Sequence, residues 1–378
     1  MINPRRGRSS RVGTALTATA GAALLLAAAC SGPSADGPPS AAAPAPPAPT
    51  VESSSPAALS TSGPVSPTDA TDATDPTDAS DPTAPAGTTA PSAPARAITL
   101  RTVDLAPGVN DEASGIALST TAPGLFYLVD DGTGTSDLAV VDELGALVTR
   151  LELTGMSADN AEALTAGSCG AAIPRPDGGT DGSCLYVGDI GDNAERRADI
   201  TIYRAAEPDL STVAPGADPI TVAADEWRYT YPDRPQNAES MMVAPDGSII
   251  VVTKPRNGAP HRMYRGEPGG GALTFVREFQ VPGSRRPMRT ILTGNVATDV
   301  AATPGRVLLL TYDDVHEYTA PDPASDPTTF PDWPNRSLPF PPLAQAEGIA
   351  GATDGCGYVV ASEAGPGGTA GSLGIATC

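Results

Sequence analysis

From residue 98 onward the chain alternates short apolar runs with clusters of Gly, Pro and Asp, and hardly any stretch carries a helical period. The strongest runs are GLFYLVDD, CLYVGDIGD, SIIVVTKP, RVLLLTYDD and GYVVASE. Each follows a shorter phrase that opens on an acidic residue, passes through small and apolar residues and turns at Gly. That phrase recurs as DEASGIALS at Glu112, NAEALTAG at Glu162, NAESMMVAPDG at Glu239, VATDVAATPG at Asp299 and AEGIAGATDG at Glu347. Third and fourth runs follow in most copies, for example DLAVVDE and then LVTRLELT. Repeated four-strand units predict an all-β fold, a β-propeller of five four-stranded blades. The copies are 50, 77, 60 and 48 residues apart, against about 40–45 for a lean blade, so long loops are expected. Six blades are the alternative, because the gap of 77 has room for a degenerate unit. The last copy holds runs for only three strands, and the orphan run AITLRTVDL (residues 97–105) is expected to supply the fourth, closing the ring and removing its free edges.

The first 97 residues read differently. Arg5, Arg6, Arg8 and Arg11 precede an apolar run ending in Leu24, Leu25, Leu26, Ala27, Ala28, Ala29 and Cys30. That run is too short to span a bilayer, so residues 1–29 read as a secretory signal peptide. Small residues immediately before a Cys resemble the lipobox of bacterial lipoproteins, which implies a lipid on Cys30 and a protein anchored to the outer face of the cell membrane. Ordinary cleavage near Ala29 is the alternative. Residues 30–97, rich in Ser, Pro, Ala, Thr and Asp, cannot bury enough apolar surface to offset ordering and are expected to form a disordered tether. Its reach would be about 45 Å as a coil and up to roughly 200 Å as polyproline II. The domain organisation is thus signal peptide, lipidated tether, and a folded domain over 98–378, read as a monomer.

Charge narrows the partners. The chain has 23 Lys+Arg against 44 Asp+Glu, a net −21, and the segment from 98 holds most of it. Such a surface leaves nothing to neutralise nucleic-acid phosphates. Two His, His261 and His316, cannot build a multi-histidine metal cage; His316 has no evident nucleophilic Ser partner in sequence, and His261 reads as a loop residue. There is no G-x-S-x-G elbow and no phosphate-cradling Gly loop with a following Lys. Apart from Cys30 the cysteines are even in number, and Cys169–Cys184 and Cys356–Cys378 each bracket a hairpin-sized segment, as disulfides of an oxidising compartment would.

In a propeller the first strand of each blade lines the channel and the second returns beside it. The start of the first and the end of the second therefore share a face. This predicts a ring of Glu112, Glu162, Glu239, Asp299 and Glu347 at one channel mouth. A neighbouring ring would hold Asp130 with Asp131, Asp189, Lys254, Asp313 and Glu363. Crowded carboxylates take up protons, pair with cations or bind a metal, and hard oxygen ligands suit Ca²⁺ or Mg²⁺. The competing reading is structural, with each acid bonded to backbone N–H groups of the next blade. Lys254, the single Lys of the chain, is either a salt-bridge partner or an anion contact. In LYVGDIGDNAERR, Asp189, Asp192 and Asn193 could form a cation loop or an Asx-rich turn that satisfies its own backbone. The loop DDGTGTSD from Asp130 carries a weaker form of the same signal.

Taken together, NAEAL, LYVGDIGDN, AESMMVAPDG, TDVA with LLLTYDDVHEY, and EGIAG with ASE resemble a group of actinobacterial secreted β-propeller lipoproteins. More distantly, the acid-opened repeat looks like esterase-like or phytase-like propellers, where channel-mouth carboxylates hold Ca²⁺. That resemblance implies Glu112, Glu162, Glu239, Asp299 and Glu347 as ligand candidates. Basic residues for a phosphate are scarce beyond Lys254, Arg256 and Arg289. The expected function is a lipid-anchored envelope module that binds a small molecule or envelope partner, with a divalent cation at its mouth. The alternative is a cation-dependent hydrolase of a phosphate ester, lactone or other ester.

Overall fold

A computed structural model describes residues 97–378 except 111, 171–172, 180–181, 257, 287–293 and 366–369. All of these lie in the compact unit Thr88–Cys378. The signal peptide, Cys30, the tether up to residue 96, and Arg289 lie outside the described residues.

Among the described residues the strands fall into five four-stranded groups. The first is β2 (Ala113–Leu118), β3 (Leu125–Asp130), β4 (Asp137–Asp142) and β5 (Leu147–Thr154). The second is β6 (Ala161–Ser168), β7 (Ser183–Asp189), β8 (Ile200–Ala206) and β9 (Ile220–Thr230), with the two-residue β13 (Gly271–Ala272) beside β9. The third is β10 (Ala238–Val243), β11 (Ile249–Thr253), β12 (His261–Gly266) and β14 (Thr274–Phe279). The fourth is β15 (Ala297–Thr303), β16 (Arg306–Thr311), β17 (Val315–Thr319) and β18 (Asn335–Leu338), with a 3₁₀ turn at Pro327–Asp332. The fifth is β19 (Gln345–Gly351), β20 (Tyr358–Glu363), β21 (Ser372–Thr377) and β1 (Thr99–Asp104). Pairing among the four strands of each group is antiparallel, β13 adds to β9 in parallel, and the first and second groups join edge to edge through parallel pairing of β5 with β9. The orphan run does supply the outer strand of the last group, Thr99 facing Thr377 and Asp104 facing Ser372. The inner strands close a circle, β2 packing on β6, β6 on β10, β10 on β15, β15 on β19 and β19 back on β2. The fold is a β-propeller.

The second strand of each group explains why the strongest runs lack alternation. Every residue of β11 (IIVVT) and β16 (RVLLLT) is buried, because both faces are covered by neighbouring blades. The two-residue period then divides the core. In β3, Tyr127 and Val129 pack with Leu164, Leu185 and Val187 of the second blade, while Phe126 and Leu128 pack with Val359, Leu373 and Ile375 of the fifth. The same division gives one hydrophobic cluster for each blade interface among the described residues. Outer strands are half-covered and alternate, as β9 does. The 77 residues between Glu162 and Glu239 are occupied by an eleven-residue outer strand and by the loop that Cys169–Cys184 closes. The second disulfide, Cys356–Cys378, ties the chain end to the turn between β19 and β20. Both pairings are those read from the sequence.

Candidate binding site at the channel mouth

Every inner strand carries one β-bulge near its start, and the bulges fix which residues are equivalent. The register breaks between Ala113 and Gly115, Ala161 and Ala163, Ala238 and Ser240, Ala297 and Asp299, and Ala346 and Gly348. The extra residues are therefore Ser114, Glu162, Glu239, Thr298 and Glu347. A bulge leaves its residue unpaired and re-aims the side chain. Each is preceded by an Ala that is at most 1 % exposed. Aligning the repeats on their acids puts the first and fourth copies out of step. Glu112 lies two residues before its bulge and is exposed, and Asp299 lies one residue after its own.

The returning strands follow the same frame. Opposite the five alanines stand Asp130, Asp189, Thr253, Thr311 and Ser362. The next residues are Asp131, Ile190, Lys254, Tyr312 and Glu363, of which Ile190 is buried in the core between the second and third blades. Tyr312, not Asp313, is thus the counterpart of Lys254 and Glu363, and the sequence reading missed it. Counting from the alanine would have found it. Asp313 sits buried in the turn after β16, its N–H donating to Thr311 Oγ1 (3.2 Å).

Glu162, Glu239, Glu347, Glu363, Asp131 and Lys254 form one electrostatic neighbourhood. Lys254 Nζ forms an ion pair with Glu239 Oε2, donates to Tyr312 OH (2.6 Å) and lies 4.9 Å from the centre of the Tyr312 ring. Gln345 Nε2 donates to Glu347 Oε1 (3.0 Å) and to Glu363 Oε2, and Asn160 Nδ2 donates to Glu162 Oε1 (2.7 Å). Gly191 gives Asn160 and Glu162 their room: a Cβ there would lie 1.8 Å from Asn160 Nδ2 and 2.7 Å from Glu162 Cγ.

One ammonium cannot neutralise this many carboxylates. Burial, and then Glu239, push Glu162 up to about 9. Burial, opposed by Lys254 and reinforced by Glu239 and Glu363, brings Glu347 to about 8. Glu363 rises to about 7 through burial, Asp131 and Glu112, and Asp131 to about 6 through burial, Glu112 and Asp130. Burial alone would lower Lys254, yet Glu239 and Glu347 hold it above its ordinary value. Its partner Glu239 also moves up, although an ion pair by itself would move it down. Burial dominates there, because the single ammonium is shared among several carboxylates. Near neutral pH this mouth holds protons or attracts cations.

At its rim, Glu112, Asp130 and Asp131 each place one carboxylate oxygen within 4.8 Å of the others. Asp130 Oδ1 also accepts from Gly132 N (2.8 Å), and Asp131 N–H donates to the carbonyl of Glu112 (3.3 Å). Three hard oxygens with solvent access fit part of a Ca²⁺ shell, the rest of which water can complete.

Other acids are engaged elsewhere. Both oxygens of Asp189 accept from Arg197, at 2.7 and 2.9 Å, and Oδ1 also accepts from Asn160 N. Asp192 Oδ2 accepts from the N–H groups of Arg196 and Arg197. Asp192 N–H donates to Asn237 Oδ1, and Asn237 Nδ2 to Asn193 Oδ1 (3.3 Å). The GDIGDN segment is thus a turn whose polar groups meet its own backbone and the next blade. Asp299 is buried, accepting from Val300 N on one oxygen and from Ile349 N of the next blade on the other (2.7 and 2.8 Å). His261 Nε2 accepts from Ala297 N (2.9 Å), which makes it a latch between blades rather than a loop residue. His316, buried, faces Ser337 across the β17–β18 pair, Nδ1 to Oγ 3.4 Å.

No family model and no curated protein matches the sequence. Among solved structures, the chain is similar to virginiamycin B lyase from Staphylococcus aureus at 11 % identity, over 75 % of this chain and 100 % of that one, with a TM-score of 0.38. It is similar to the Dos1 propeller at 10 % identity, over 66 % of this chain and 53 % of that one, TM-score 0.30. It is also similar to the Cps50 (Swd1) β-propeller domain of Myceliophteria thermophila at 10 % identity, over 70 % of this chain and 83 % of that one, TM-score 0.31.

Proposed function

We propose that this chain is a lipid-anchored, extracytoplasmic β-propeller that binds a ligand of the cell envelope at the acidic channel mouth with the help of a divalent cation, Ca²⁺ by the chemistry of its donors. The observation that carries the reading is the excess of converging carboxylates over the single Lys254, with the rim oxygens of Glu112, Asp130 and Asp131 close enough to share one ion. Rim carboxylates would hold the cation, and the deeper Glu162, Glu239 and Glu347, poised by Lys254 and Tyr312, would meet the ligand. The Cys30 segment and two disulfides support an oxidising location outside the membrane.

Metal analysis of the purified protein, and melting with EDTA or added Ca²⁺, test it. Ca²⁺ at a hundred times its Kd should add about 2.7 kcal/mol of stability, and Asp131→Asn should abolish that response while keeping the fold. No bound metal and no shift would refute the cation. Cys30→Ala should release the protein from the membrane fraction. A second reading is a cation-dependent ester hydrolase, favoured by the Lys254–Tyr312 pair beside the carboxylates. Ca²⁺-dependent turnover of lactone or phosphate-ester substrates, lost in Lys254→Met, would support it.

A further inference from the structure

The opposite end of the channel has a different chemistry. The inner strands end at Leu118, Ser168, Val243, Thr303 and Gly351, about 20 Å from the acidic mouth at roughly 3.3 Å per residue. There every blade contributes to a cavity of about 880 Å³. Its walls are small or apolar, among them Ala117, Ala166, Val243, Ala302, Ile349 and Trp333. Three charged residues also line it, and each is already engaged. Arg306 donates to Glu317 (3.3 Å) and to the carbonyl of Gly357 (2.6 Å), Glu143 pairs with Arg101 (3.0 Å), and Asp354 accepts from the N–H groups of Cys356 and Gly357 (2.8 Å each). Among the described residues, this end of a strongly acidic domain therefore offers no charged wall residue that lacks a partner.

We propose that this cavity is a second binding site, for a neutral, predominantly apolar small molecule. Its volume lies within the roughly 300–1,000 Å³ of small-molecule sites, which are mostly apolar with a few polar groups. The wall hydroxyls of Thr165 and Ser168 supply polar contacts without charge. An anionic ligand would gain no free cation from the walls and would be repelled by the field of the domain. A cationic ligand is drawn to the other mouth instead. The proposal is independent of the cation reading, since it shares no residue with the acidic site.

The test uses Nile red, a neutral solvatochromic dye, titrated into the mature full chain. The expected result is saturable binding in a one-to-one ratio, with the sulfonated anilinonaphthalene dye at least about tenfold weaker. Ala302→Phe should reduce Nile red affinity about tenfold or more with the melting temperature retained. Val243→Ser, which adds no volume but makes the wall polar, should weaken it also, and decides the matter if the Phe variant does not fold. Phe275→Ser, which removes an exposed apolar side chain that does not line the cavity, should bind as the native chain does. Non-saturable uptake, native affinity in the folded wall variants, or loss of binding in Phe275→Ser would overturn the proposal.

Discussion

Replacing Lys254 by Met removes the one cation found among the described residues of the acidic mouth, while keeping most of the side-chain volume. The ammonium side chain is 19 % exposed and that of its partner Glu239 is 6 % exposed, so the pair is largely withdrawn from water. Breaking such a pair by deleting one member costs about 3–5 kcal/mol when the survivor stays charged. Here the survivor can take a proton, so the cost depends on pH. Glu162 and Glu347 have folded values near 9 and 8 against an ordinary value of 4.5. The folded chain thus binds more protons than the unfolded one between those limits, and native stability falls as pH rises through that window. Lys254, held above its ordinary value, keeps its contribution throughout and loses it only in strong alkali. Without it the carboxylates rise further, and the fall with pH steepens. The expected loss is about 3 kcal/mol at pH 8, shrinking to about 1 kcal/mol at pH 5. In melting temperature that is roughly 6–12 °C and 2–4 °C. Thermal unfolding followed by circular dichroism at both pH values measures it, for Lys254→Met, Glu239→Gln and the double variant. The double variant should recover most of the loss, since a neutral Gln needs no counter-charge. An equal loss at pH 5 and pH 8, or a double variant as unstable as the two singles added, would refute the reasoning.

Gly191→Ala should cost about 2 kcal/mol in urea unfolding, because its Cβ would displace Asn160 and Glu162, and it should weaken the Ca²⁺ stabilisation. Arg197→Met strips Asp189 of both side-chain donors and should lower stability by about 3 kcal/mol, with a smaller loss in the Arg197→Met, Asp189→Asn pair. Tyr312→Phe removes one of the two acceptors described for Lys254 and should cost about 1.5–3 kcal/mol by chemical denaturation. Replacing Cys169 and Cys184 by Ser opens a loop whose ends are 15 residues apart, worth about 3 kcal/mol by loop-closure entropy. The melting temperature of that variant should no longer respond to dithiothreitol at this loop.

The propeller was legible because its cause is repetitive: a strand buried on both faces must be apolar throughout, and β11 and β16 announce it. The closing strand was legible for a related reason, since a three-strand remainder at one end and an orphan run at the other answer each other. What the sequence concealed was register. Strand patterns identify faces through a period of two, and a one-residue slip exchanges the faces. A bulge inserts such a slip inside the strand, so alternation cannot say which of two neighbours has been re-aimed. Hence Glu112 and Asp299 stood in the reading where Ser114 and Thr298 stand in the ring, and Asp313 stood where Tyr312 does. The buried alanines at 113, 161, 238, 297 and 346 are the surer marker. A bulge pressed against the neighbouring inner strand tolerates little bulk beside it: Gly115, just after the first bulge, comes so near the next blade that a Cβ would lie 2.5 Å from Leu164 N.

Side-chain length then separates the acids that hold the fold from those that face the channel. An Asp beside a bulge has its carboxyl within reach of nearby backbone N–H groups, and Asp299 spends both oxygens there, one on its own strand and one on the next blade. Asp192 does the same within its turn, as short polar side chains do wherever the backbone leaves donors open. A Glu on the bulge carries its carboxyl one methylene further, past those donors and into the company of other carboxylates. Among the described residues, Glu162, Glu239 and Glu347 thus accept from no backbone donor, and it is Lys254, Asn160 and Gln345 that answer them. Shortening Glu239 to Asp should therefore lose the Lys254 ion pair while retaining the charge. The acidity of the domain divides along that line, and it is the Glu-bearing bulges, rather than the net charge, that concentrate buried carboxylates at this mouth.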